Sequence, residues 1–393
     1  MLPAYYEFQS KVKVLSGEFA LENIPYELRA FGVSHPLLVS DHTLEKLGIL
    51  KIVQKAMDGV SIGGVFLDVP PDSGTSVIQR GVQQYRDKNC DSIIAVGGGS
   101  VLDTAKGISM LIRQQKDNML EIMGSEEMMR GRPVPFFAVP TTAGTGSEAT
   151  GIAVISHPEK DVKMEFVSGE FMPDVAILDV RMTESLPPKI TASTGMDALC
   201  HAMEAFTCTQ KNPLSDAYAA AAIELIATYL PRACADGKDA AARLAMANAS
   251  LMAGIAFSNS MVGAVHAIGH ALGAVCHVAH AEAMTILMPY VMEYNMDRMR
   301  GVYEKLLLIL AGPEDYVKTP EGERAQASVS YIRDMAENFH RQYGLPACLR
   351  DTGKVARDQF PLIADKAIND GAILTNPKAM DAADVISVLE RAF

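Results

Sequence analysis

Four of the nine histidines in this 393-residue chain lie within one fifteen-residue stretch, HAIGHALGAVCHVAH. They are His266, His270, His277 and His280. Imidazole nitrogens bind divalent metals and transfer protons near neutral pH, so both kinds of chemistry are open to this stretch. A continuous helix would separate His266 from His280 by about 21 Å, whereas two ligands of one ion lie at most ~4 Å apart. If both bind one ion, a helix must end between them, and we expect it to end at Gly273.

A second pair of candidate ligands lies upstream, in the segment GMDALCHAMEAF. Asp197 and His201 are four residues apart, so a helix would place both side chains on one face. The neighbouring residues are apolar, and an unpaired carboxylate in apolar surroundings would be costly. A divalent cation would offset that cost, although the same pair also occurs as an ordinary hydrogen bond. These residues do not by themselves decide which of the four downstream histidines would complete a site.

A glycine-rich turn in the segment IIAVGGGSVLDTAKGIS lies between a predicted strand and a predicted helix. Gly97, Gly98 and Gly99 would let the backbone approach an anion closely, and Ser100 would begin the helix. A dinucleotide pyrophosphate fits this chemistry, but a purely structural turn would show the same letters. The usual G-x-G-x-x-G pattern is absent, and the turn follows the third predicted strand rather than the first.

Two further strand ends carry polar residues suited to a nucleotide. The loop VPTTAGTGSEAT supplies Thr141, Thr142 and Thr145, whose hydroxyls could bind phosphate or ribose. Asp41 follows the segment LLVS and could accept a hydrogen bond from a ribose 2′-hydroxyl. Asp41 could equally cap a helix beginning near Thr43. Loops at the carboxyl ends of parallel strands meet at one edge of a sheet, so we expect these two loops to converge.

The chain has two halves with different patterns. Five short apolar segments, separated in part by amphipathic ones, predict a parallel sheet covered on both faces. They are PLLVS (36–40), GVFLDV (64–69), SIIAVGG (92–98), FFAVP (136–140) and VAILD (175–179). After about residue 185 the pattern becomes Ala-, Leu- and Met-rich with helical spacing. We therefore predict an α/β dinucleotide-binding domain at 1–185 and an all-helical domain at 186–393, joined near LPPKITAS.

Composition and charge exclude several functional classes. The net charge of −12 disfavours binding to nucleic acid. No apolar run reaches the ~18–20 residues of a membrane span, and the N-terminus lacks a secretory pattern. The six cysteines are scattered and form no C-x-x-C pair, which is typical of reduced thiols. We therefore expect a cytoplasmic protein with no membrane or nucleic-acid partner.

In combination, the motifs VGGGSVLDTAK, PTTAGTGSEAT, GMDALCHAMEAF and HAIGHALG resemble the iron-containing (group III) alcohol dehydrogenases. That family has a dehydroquinate synthase-like fold, and the resemblance runs from LLVSD to NPKAM, most of the chain. It implies a metal-dependent, NAD-linked alcohol dehydrogenase or aldehyde reductase acting on short primary alcohols or aldehydes. It also implies Fe(II), with Zn(II) as the alternative, and a homodimer or higher homo-oligomer.

The resemblance assigns roles residue by residue. The metal ligands would be Asp197, His201, His266 and His280. His270 would lie beside the nicotinamide and act as a proton relay without binding metal. The NAD-binding residues would be Asp41, Gly97, Gly98, Gly99, Ser100, Asp103, Thr141, Thr142, Thr145, Lys163 and Leu178. The substrate pocket would include Gly151, Ile152, Phe257 and Ala372.

One ligand departs from the family pattern. The last histidine usually stands between Pro and Gly, whereas here it stands in Ala279-His280-Ala281-Glu282. His277 is an extra imidazole three residues earlier and is the alternative ligand. We favour His280, because its separation from His266 matches the family pattern.

Two alternative functions follow from the same pattern. A functionalised small aldehyde, of the diol-derived, lactaldehyde or sulfoacetaldehyde type, would need a polar partner that the sequence does not identify. The carbon–oxygen lyases related to dehydroquinate synthase would need a cluster of basic residues to hold a phosphorylated substrate. No such cluster occurs in the pocket-forming segments, which disfavours a lyase.

Overall fold

The computed structural model describes residues 3–122, 133–157 and 163–393. The chain divides into two compact units. One unit is Gln9–Ser185, and the other is Leu186–Phe393 together with residues 3–8. Residues 3–8 therefore group with the helical unit, whereas the sequence analysis placed them in the 1–185 domain. The Phe8 ring stacks on Tyr218 of that helical unit, with ring centroids 5.9 Å apart.

The first unit is built on a six-stranded sheet in which every paired strand is parallel. The strands are β1 (Lys13–Gly17), β2 (Pro36–Val39), β3 (Gly64–Phe66), β4 (Ser92–Gly97), β5 (Phe136–Pro140) and β8 (Val175–Asp179), in the spatial order β1-β8-β5-β4-β2-β3. The helices of this unit are α1 (Ile24–Ala30), α2 (His42–Lys46), α3 (Ile49–Ala56), α4 (Thr75–Asp87) and α5 (Gly99–Gln114). The predicted parallel α/β fold is confirmed.

Helices cover both faces of this sheet, which explains why its interior strands, β8, β5, β4 and β2, are almost continuously apolar. Successive residues of β4 belong to different cores, because side chains alternate across a strand. Ile93 packs in the core that includes α4 and α5, and Ile94 packs in the core that includes α1 and α3. Both side chains are fully buried. A strand buried on both sides has no polar face to show in its sequence.

Three strands were absent from the sequence prediction. Strand β1 has only two consecutive apolar residues, Val14 and Leu15, and it lies at the edge of the sheet beside β8. Strands β6 (Ile152–Ser156) and β7 (Lys163–Val167) form a separate antiparallel pair. Their residues alternate between more and less exposed positions, unlike the continuously buried strands that the prediction sought. The glycine turn therefore follows the fourth strand and not the third.

The second unit is helical throughout the residues that the structure describes. Its helices are α6 (Pro188–Thr207), α7 (Pro213–Ala235), α8 (Ala240–Ser258), α9 (Ala264–Cys276), α10 (His280–Tyr294), α11 (Met296–Lys318), α12 (Arg324–Tyr343), α13 (Phe360–Ile368) and α14 (Ala382–Ala392). Helix α11 kinks at Gly312, which has a φ of 79°. The predicted junction LPPKITAS leads into α6, whose first residue, Pro188, needs no hydrogen-bond donor at that position. The predicted all-helical second half is confirmed.

Helix α8 is long and apolar enough to cross a membrane, although polar residues such as Arg243 interrupt its apolar sequence. In the structure 67% of its apolar window is buried inside the protein. Its buried Arg243 donates to the Thr191 hydroxyl at 2.7 Å and to the Leu186 carbonyl at 3.0 Å. Packing in the helical core thus accounts for the composition of α8.

Candidate metal centre and nucleotide site

Four side chains from three helices converge in the second unit. Asp197 and His201 lie on α6, His266 lies on α9, and His280 is the first residue of α10. One ligand atom from each lies within 4.8 Å of the others. His280 Nε2 and Asp197 Oδ1 are 3.4 Å apart. Two atoms ~2.1 Å from one ion in a tetrahedral arrangement lie about 3.4 Å apart, and at most about 4.2 Å apart in any arrangement. The cluster therefore needs only small side-chain rotations to surround one ion.

The polar atoms that face the cluster fit a cation. Asp197 Oδ1 and His266 Nε2 are buried and have no hydrogen-bond partner among the described residues. The 3.4 Å approach of His280 to Asp197 is a contact and not an aligned hydrogen bond. Burial raises the pKa of the Asp197 carboxyl to about 6, against the opposing attraction of His266 and His270. A buried oxygen and a buried ring nitrogen without partners are costly unless a cation binds them both.

The helix break demanded by the histidine spacing lies later than predicted. Helix α9 continues through Gly273 and ends at Cys276. His277 follows in the left-handed conformation, with a φ of 55°, and its N–H donates to the Gly273 carbonyl at 3.1 Å. Prediction of the stop at Gly273 was wrong because a histidine takes the left-handed position that glycine usually occupies after a helix.

His277 plays a structural part in this turn. Its side chain is exposed, and it lies outside the four-residue cluster. Its carbonyl accepts a hydrogen bond from Lys354 Nζ at 2.6 Å. The reversed chain then starts α10 at His280, so that the turn brings His280 to the ligand position. Glu282, one turn into α10, is 3.7 Å from Lys189 Nζ.

Aromatic packing fixes the buried histidines. The His201 ring stacks on Phe257, with centroids 4.5 Å apart and planes 18° apart. The His201 and His266 ring centroids are 4.6 Å apart. Phe257, expected to line the substrate pocket, therefore lies beside a candidate ligand.

Glu204 is a buried carboxylate at this site that the sequence analysis did not single out. Its Oε2 atom is 2.6 Å from His266 Nδ1. At the start of α9, the same Oε2 atom accepts from the Gly263 N–H at 2.9 Å, and the Oε1 atom accepts from the Val265 N–H at 2.7 Å. The signal was present in the sequence. An acidic residue stands in the apolar run HAMEAF, seven residues after Asp197 and on the same helical face.

His270 lies beside the cluster without joining it. Its ring centroid is 5.4 Å from that of His280, with planes 19° apart. His270 Nδ1 is 2.9 Å from Asp370 Oδ2, and the Asp370 Oδ1 atom accepts from the N–H of Ala372 at 2.8 Å. Burial by itself would raise the pKa of Asp370. The hydrogen bonds from His270 and Ala372 and the charge of His270 lower it by more, so the pKa lies below its usual value. Ala372 and His270 thus share Asp370 as a hydrogen-bond partner, and the place of Ala372 in the substrate pocket stays a prediction.

The two predicted nucleotide loops converge in the first unit. The Thr141 N–H donates to the Gly97 carbonyl at 3.0 Å. A Cβ atom at Gly97 would lie 2.4 Å from Val101, and one at Gly99 would lie 3.0 Å from Thr145. Close packing therefore requires glycine at position 97 and leaves little room for a side chain at position 99. Gly98, the N-cap residue of α5, has no side chain with which to cap this helix start.

Asp103 faces the protein interior. Its carboxylate accepts from the Ser147 hydroxyl at 2.7 Å and from the Val154 N–H at 3.0 Å. Both oxygens are thereby used to tie α5 to the threonine loop and to β6. These contacts favour positioning of the loop over the direct NAD contact that the resemblance implied for Asp103.

A buried lysine and a buried glutamate lie near Asp103, and the sequence analysis singled out neither. The ammonium of Lys106 donates to the Thr150 hydroxyl at 2.8 Å and to the Ile152 carbonyl at 2.6 Å, and is 3.8 Å from Asp103. Burial lowers the pKa of Lys106 to about 8, against the attraction of nearby carboxylates. Burial raises the pKa of Glu148 to about 7. Nothing in the apolar-strand pattern signals charges inside the domain.

The remaining predicted cofactor residues have ordinary local roles in the structure. Asp41 Oδ1 accepts from the N–H groups of Thr43 at 2.7 Å and Leu44 at 2.9 Å, so it caps α2. Lys163 pairs with Asp72 at 2.6 Å, and both are largely exposed. Leu178 is buried in β8.

The predicted substrate residues of the first unit are placed by backbone contacts. A Cβ atom at Gly151 would lie 2.7 Å from the Ser168 carbonyl oxygen, so close backbone approach accounts for this glycine. The carbonyl of Ile152 is an acceptor for the buried Lys106. These contacts leave their substrate role a prediction.

Comparison with known proteins agrees with the motifs over almost the whole chain. Residues 11–180 match the model of the iron-containing alcohol dehydrogenases, and residues 191–393 match the C-terminal model of the Fe-containing alcohol dehydrogenase family. The chain is 32% identical to the NAD-dependent methanol dehydrogenase of Bacillus methanolicus over 96% of this chain and 97% of that protein. It is 33% identical to a choline dehydrogenase of Bacillus subtilis (strain 168), over 99% of this chain and 95% of that protein.

Similarity of structure extends over the same range. The solved structure of a 1,3-propanediol oxidoreductase superposes with a TM-score of 0.93 at 32% identity, covering 99% of this chain and 100% of that one. Two family models that together span both units, and relatives of this identity over nearly full length, leave one assignment. The chain belongs to the iron-containing alcohol dehydrogenase family.

Proposed function

We propose that this chain catalyses the reversible conversion of a short primary alcohol and NAD⁺ to an aldehyde, NADH and a proton, at a divalent metal held by Asp197, His201, His266 and His280. The observation that carries the proposal is the convergence of these four ligand atoms within 4.8 Å, with two of them buried and unpartnered. Membership of the family makes the chain an alcohol dehydrogenase, and the NAD-dependent methanol dehydrogenase among its relatives supports NAD as the cofactor.

The protein side chains divide the work at the metal. A divalent ion bound there supplies Lewis acidity that lowers the pKa of an alcohol hydroxyl. His201 and His266 are held in place by the Phe257 ring and the Glu204 carboxylate. His270 is the proposed proton relay. Because Asp370 engages Nδ1 of His270, the neutral ring carries its accepting lone pair on Nε2.

The first unit is the proposed NAD-binding unit. The glycine turn at 97–99 and Ser100 would hold the pyrophosphate at the start of α5, and Thr141, Thr142 and Thr145 would hydrogen-bond phosphate or ribose. The free Oδ2 side of the Asp41 carboxylate would accept from the adenosine 2′-hydroxyl, because the cap of α2 uses only Oδ1.

Lys163 and Leu178 would lie near the nicotinamide ribose and ring. This assignment rests on the resemblance alone.

We propose Fe(II) as the resident metal, with Zn(II) as the alternative. One carboxylate and three imidazoles suit either ion, and the family name favours iron.

We propose a small aliphatic substrate, with Phe257 and Ala372 as its predicted contacts in the helical unit and Gly151 and Ile152 as its predicted contacts in the first unit. The methanol dehydrogenase and the 1,3-propanediol oxidoreductase among the similar proteins support small alcohols. Similar identity to the choline dehydrogenase means that overall similarity does not select one alcohol.

We also propose that the enzyme works in the cytoplasm as a homodimer or higher homo-oligomer. All six cysteines are free thiols, and five of them are buried, which suits a reducing compartment.

The test uses metal-free protein prepared with a chelator and reloaded anaerobically with Fe(II) or Zn(II). Oxidation of NADH is followed by absorbance with a series of short aldehydes, and reduction of NAD⁺ with the matching alcohols. Asp197→Asn is the control, because it preserves size while weakening the only carboxylate ligand. Loaded protein that turns over no alcohol or aldehyde, while binding NAD and metal, would refute the proposal.

A further inference from the structure

Both oxygens of the Glu204 carboxylate accept hydrogen bonds, from the His266 ring and from backbone N–H groups at the start of α9. Oε2 faces His266 Nδ1 at 2.6 Å, the Gly263 N–H at 2.9 Å and the His266 N–H at 3.4 Å. Oε1 faces the Val265 N–H at 2.7 Å. Only 6% of the residue is exposed. Three backbone donors at the start of α9 thus share one carboxylate with a histidine ring.

These contacts determine which nitrogen of His266 carries the proton. The backbone donors hold the carboxylate as an acceptor, so the short contact to His266 must be donated by Nδ1–H. A neutral imidazole then has its lone pair on Nε2. That nitrogen is the buried atom with no hydrogen-bond partner among the described residues, and it belongs to the four-residue cluster.

We propose that Glu204 is a positioning residue that fixes the Nδ1–H tautomer and the orientation of His266, and so sets the affinity of the cluster for its divalent ion. The inference rests on the proposed metal site, but it concerns a residue that does not touch the metal. Hydrogen-bond partners of ligating histidines raise metal affinity by about 10- to 100-fold.

Gly263 provides an independent sign that the carboxylate must occupy this place. A Cβ atom at position 263 would lie 2.9 Å from Glu204 Oε1 and 3.3 Å from Asn376 Oδ1. Any side chain there would displace the carboxylate or the amide. The start of α9 is therefore shaped around Glu204, and no side chain of the N-cap residue competes for its donors.

Glu204→Gln is the sharpest substitution, because it preserves shape and removes one acceptor. If the amide oxygen faces His266, the amide NH₂ meets the Val265 N–H. If the amide is reversed, its NH₂ faces His266 Nδ1, and the ring must place its proton on Nε2, toward the metal. In both orientations two donors face each other, and in the second the ligand lone pair is lost.

Asn376→Ala is the matched control for a merely structural role. Asn376 Oδ1 accepts from the Ala264 N–H at 3.4 Å, at the same helix start, and its other side-chain hydrogen bonds join it to Asn295 and the Lys378 carbonyl. Its loss should destabilise the start of α9 without changing the His266 tautomer.

The experiment measures Zn(II) and Co(II) affinity by competition with a chelating dye, and the apo-state tautomer by NMR of ¹⁵N-histidine-labelled protein. We expect Glu204→Gln to raise the metal dissociation constant about 10- to 100-fold. We also expect the Nδ1–H signal of His266 to shift or disappear in Glu204→Gln, because the charged acceptor is lost in either orientation of the amide, whereas Asn376→Ala retains the wild-type signal and affinity. If Glu204→Gln fails to fold, Gly263→Ala displaces the carboxylate without removing it and should also weaken binding.

Three outcomes would overturn the inference. They are wild-type affinity in a folded Glu204→Gln variant, an equal loss of affinity in Asn376→Ala, or an unchanged tautomer signal in Glu204→Gln. Failure of the proposed function looks different, since wild-type protein would then bind the divalent ion and NAD without turning over any alcohol or aldehyde, or would bind no divalent ion at all.

Discussion

Substitutions of His277 and His280 should show which of the two is a metal ligand and which is only a turn residue. His280 lies 3.4 Å from Asp197 within the cluster, whereas His277 is exposed and adopts a φ of 55°. We predict that His280→Ala loses metal and that His277→Asn keeps it. Asparagine is the suitable replacement at position 277, because it tolerates the left-handed conformation better than alanine.

The size of the effect follows from the number of ligands. Removing one of four ligands should cost more than removing a ligand's hydrogen-bond partner, so we expect His280→Ala to weaken metal binding at least about 100-fold. At a metal concentration 100 times the wild-type dissociation constant, bound metal adds about 2.7 kcal/mol to the free energy of unfolding. After a hundredfold loss the same concentration adds only about 0.4 kcal/mol. The metal-induced stabilisation should therefore fall by about 2.3 kcal/mol.

The assay is denaturant unfolding of each variant with and without Zn(II), together with chelator competition for the dissociation constant. Comparing each variant with its own apo form removes any change in intrinsic stability caused by the substitution. His277→Asn should show the wild-type increment. A retained increment in His280→Ala together with its loss in His277→Asn would reassign the ligand and refute the geometric reasoning.

Four further substitutions test the surroundings of the two sites. Asp41→Asn keeps the cap of α2 but removes the negative charge, and it should raise the ratio of kcat/KM with NADP to kcat/KM with NAD by about tenfold. An unchanged ratio would mean that Asp41 only caps the helix. Lys106→Met leaves Asp103 buried without its cation, and should lower the free energy of unfolding at pH 7 by about 3–5 kcal/mol in chemical denaturation; a loss below 1 kcal/mol would contradict a charged pair. Glu148 has a folded-state pKa of about 7 against 4.5, so its contribution is present below pH 4.5 and lost as the pH rises through 7. Glu148→Gln should therefore gain stability relative to wild type between pH 5 and 8, on the order of 3 kcal/mol, and a pH-independent difference would refute this. Phe257→Leu removes the ring that stacks on His201 and should cost about 1 kcal/mol in unfolding and less than tenfold in metal affinity.

The sequence predicts strands well where apolar residues are consecutive and poorly where they are not. All five predicted apolar runs form strands; four of these strands are fully buried, whereas in β3, at the edge of the sheet, Val65 is exposed. Strand β1 offers only Val14 and Leu15, because an edge strand needs little burial, and its pairing with β8 comes from residues about 160 positions away. Such distant pairing leaves no trace in a local pattern.

Residue spacing predicted only part of the candidate metal cluster; the choice of His266 and His280 came from the family resemblance, and the position of the turn between them was not predicted correctly. The i, i+4 spacing of Asp197 and His201 fixes a common face, and the distance argument requires a turn before His280. The position of that turn depends on the left-handed conformation of His277 and on the Lys354 contact to its carbonyl. The Lys354 contact comes from 77 residues along the chain, and a histidine takes the left-handed position that glycine usually occupies, so glycine preference pointed to the wrong residue.

Buried charges were the least predictable part of the molecule. Lys106 and Glu148 are fully enclosed in the first unit, yet each looks like an ordinary charged residue in the sequence. The hydrogen-bond partners of Lys106 come from a segment more than 40 residues along the chain, namely the Thr150 hydroxyl and the Ile152 carbonyl. A pattern method assigns charges to the surface, since burial of an unpaired charge is costly, and it cannot see the partners that offset the cost.

One face of α6 supplies three of the residues that form or support the candidate metal centre. Asp197, His201 and Glu204 are spaced i, i+4 and i+7, which places them within about 60° of one another around the helix. The first two face the cluster directly, and the third reaches the start of α9 and His266. A rotation of α6 that moved Asp197 and His201 away from the cluster would also move Glu204. The hydrogen bonds of Glu204 to the start of α9 would then break, and His266, the third ligand, would lose the contact that orients its ring. Metal binding and the docking of these two helices should consequently be coupled, so that metal protects the backbone amides at the start of α9 from hydrogen exchange in wild type. In Glu204→Gln that protection should weaken even at saturating metal, and equal protection in the two proteins would show that the helices dock independently of the carboxylate.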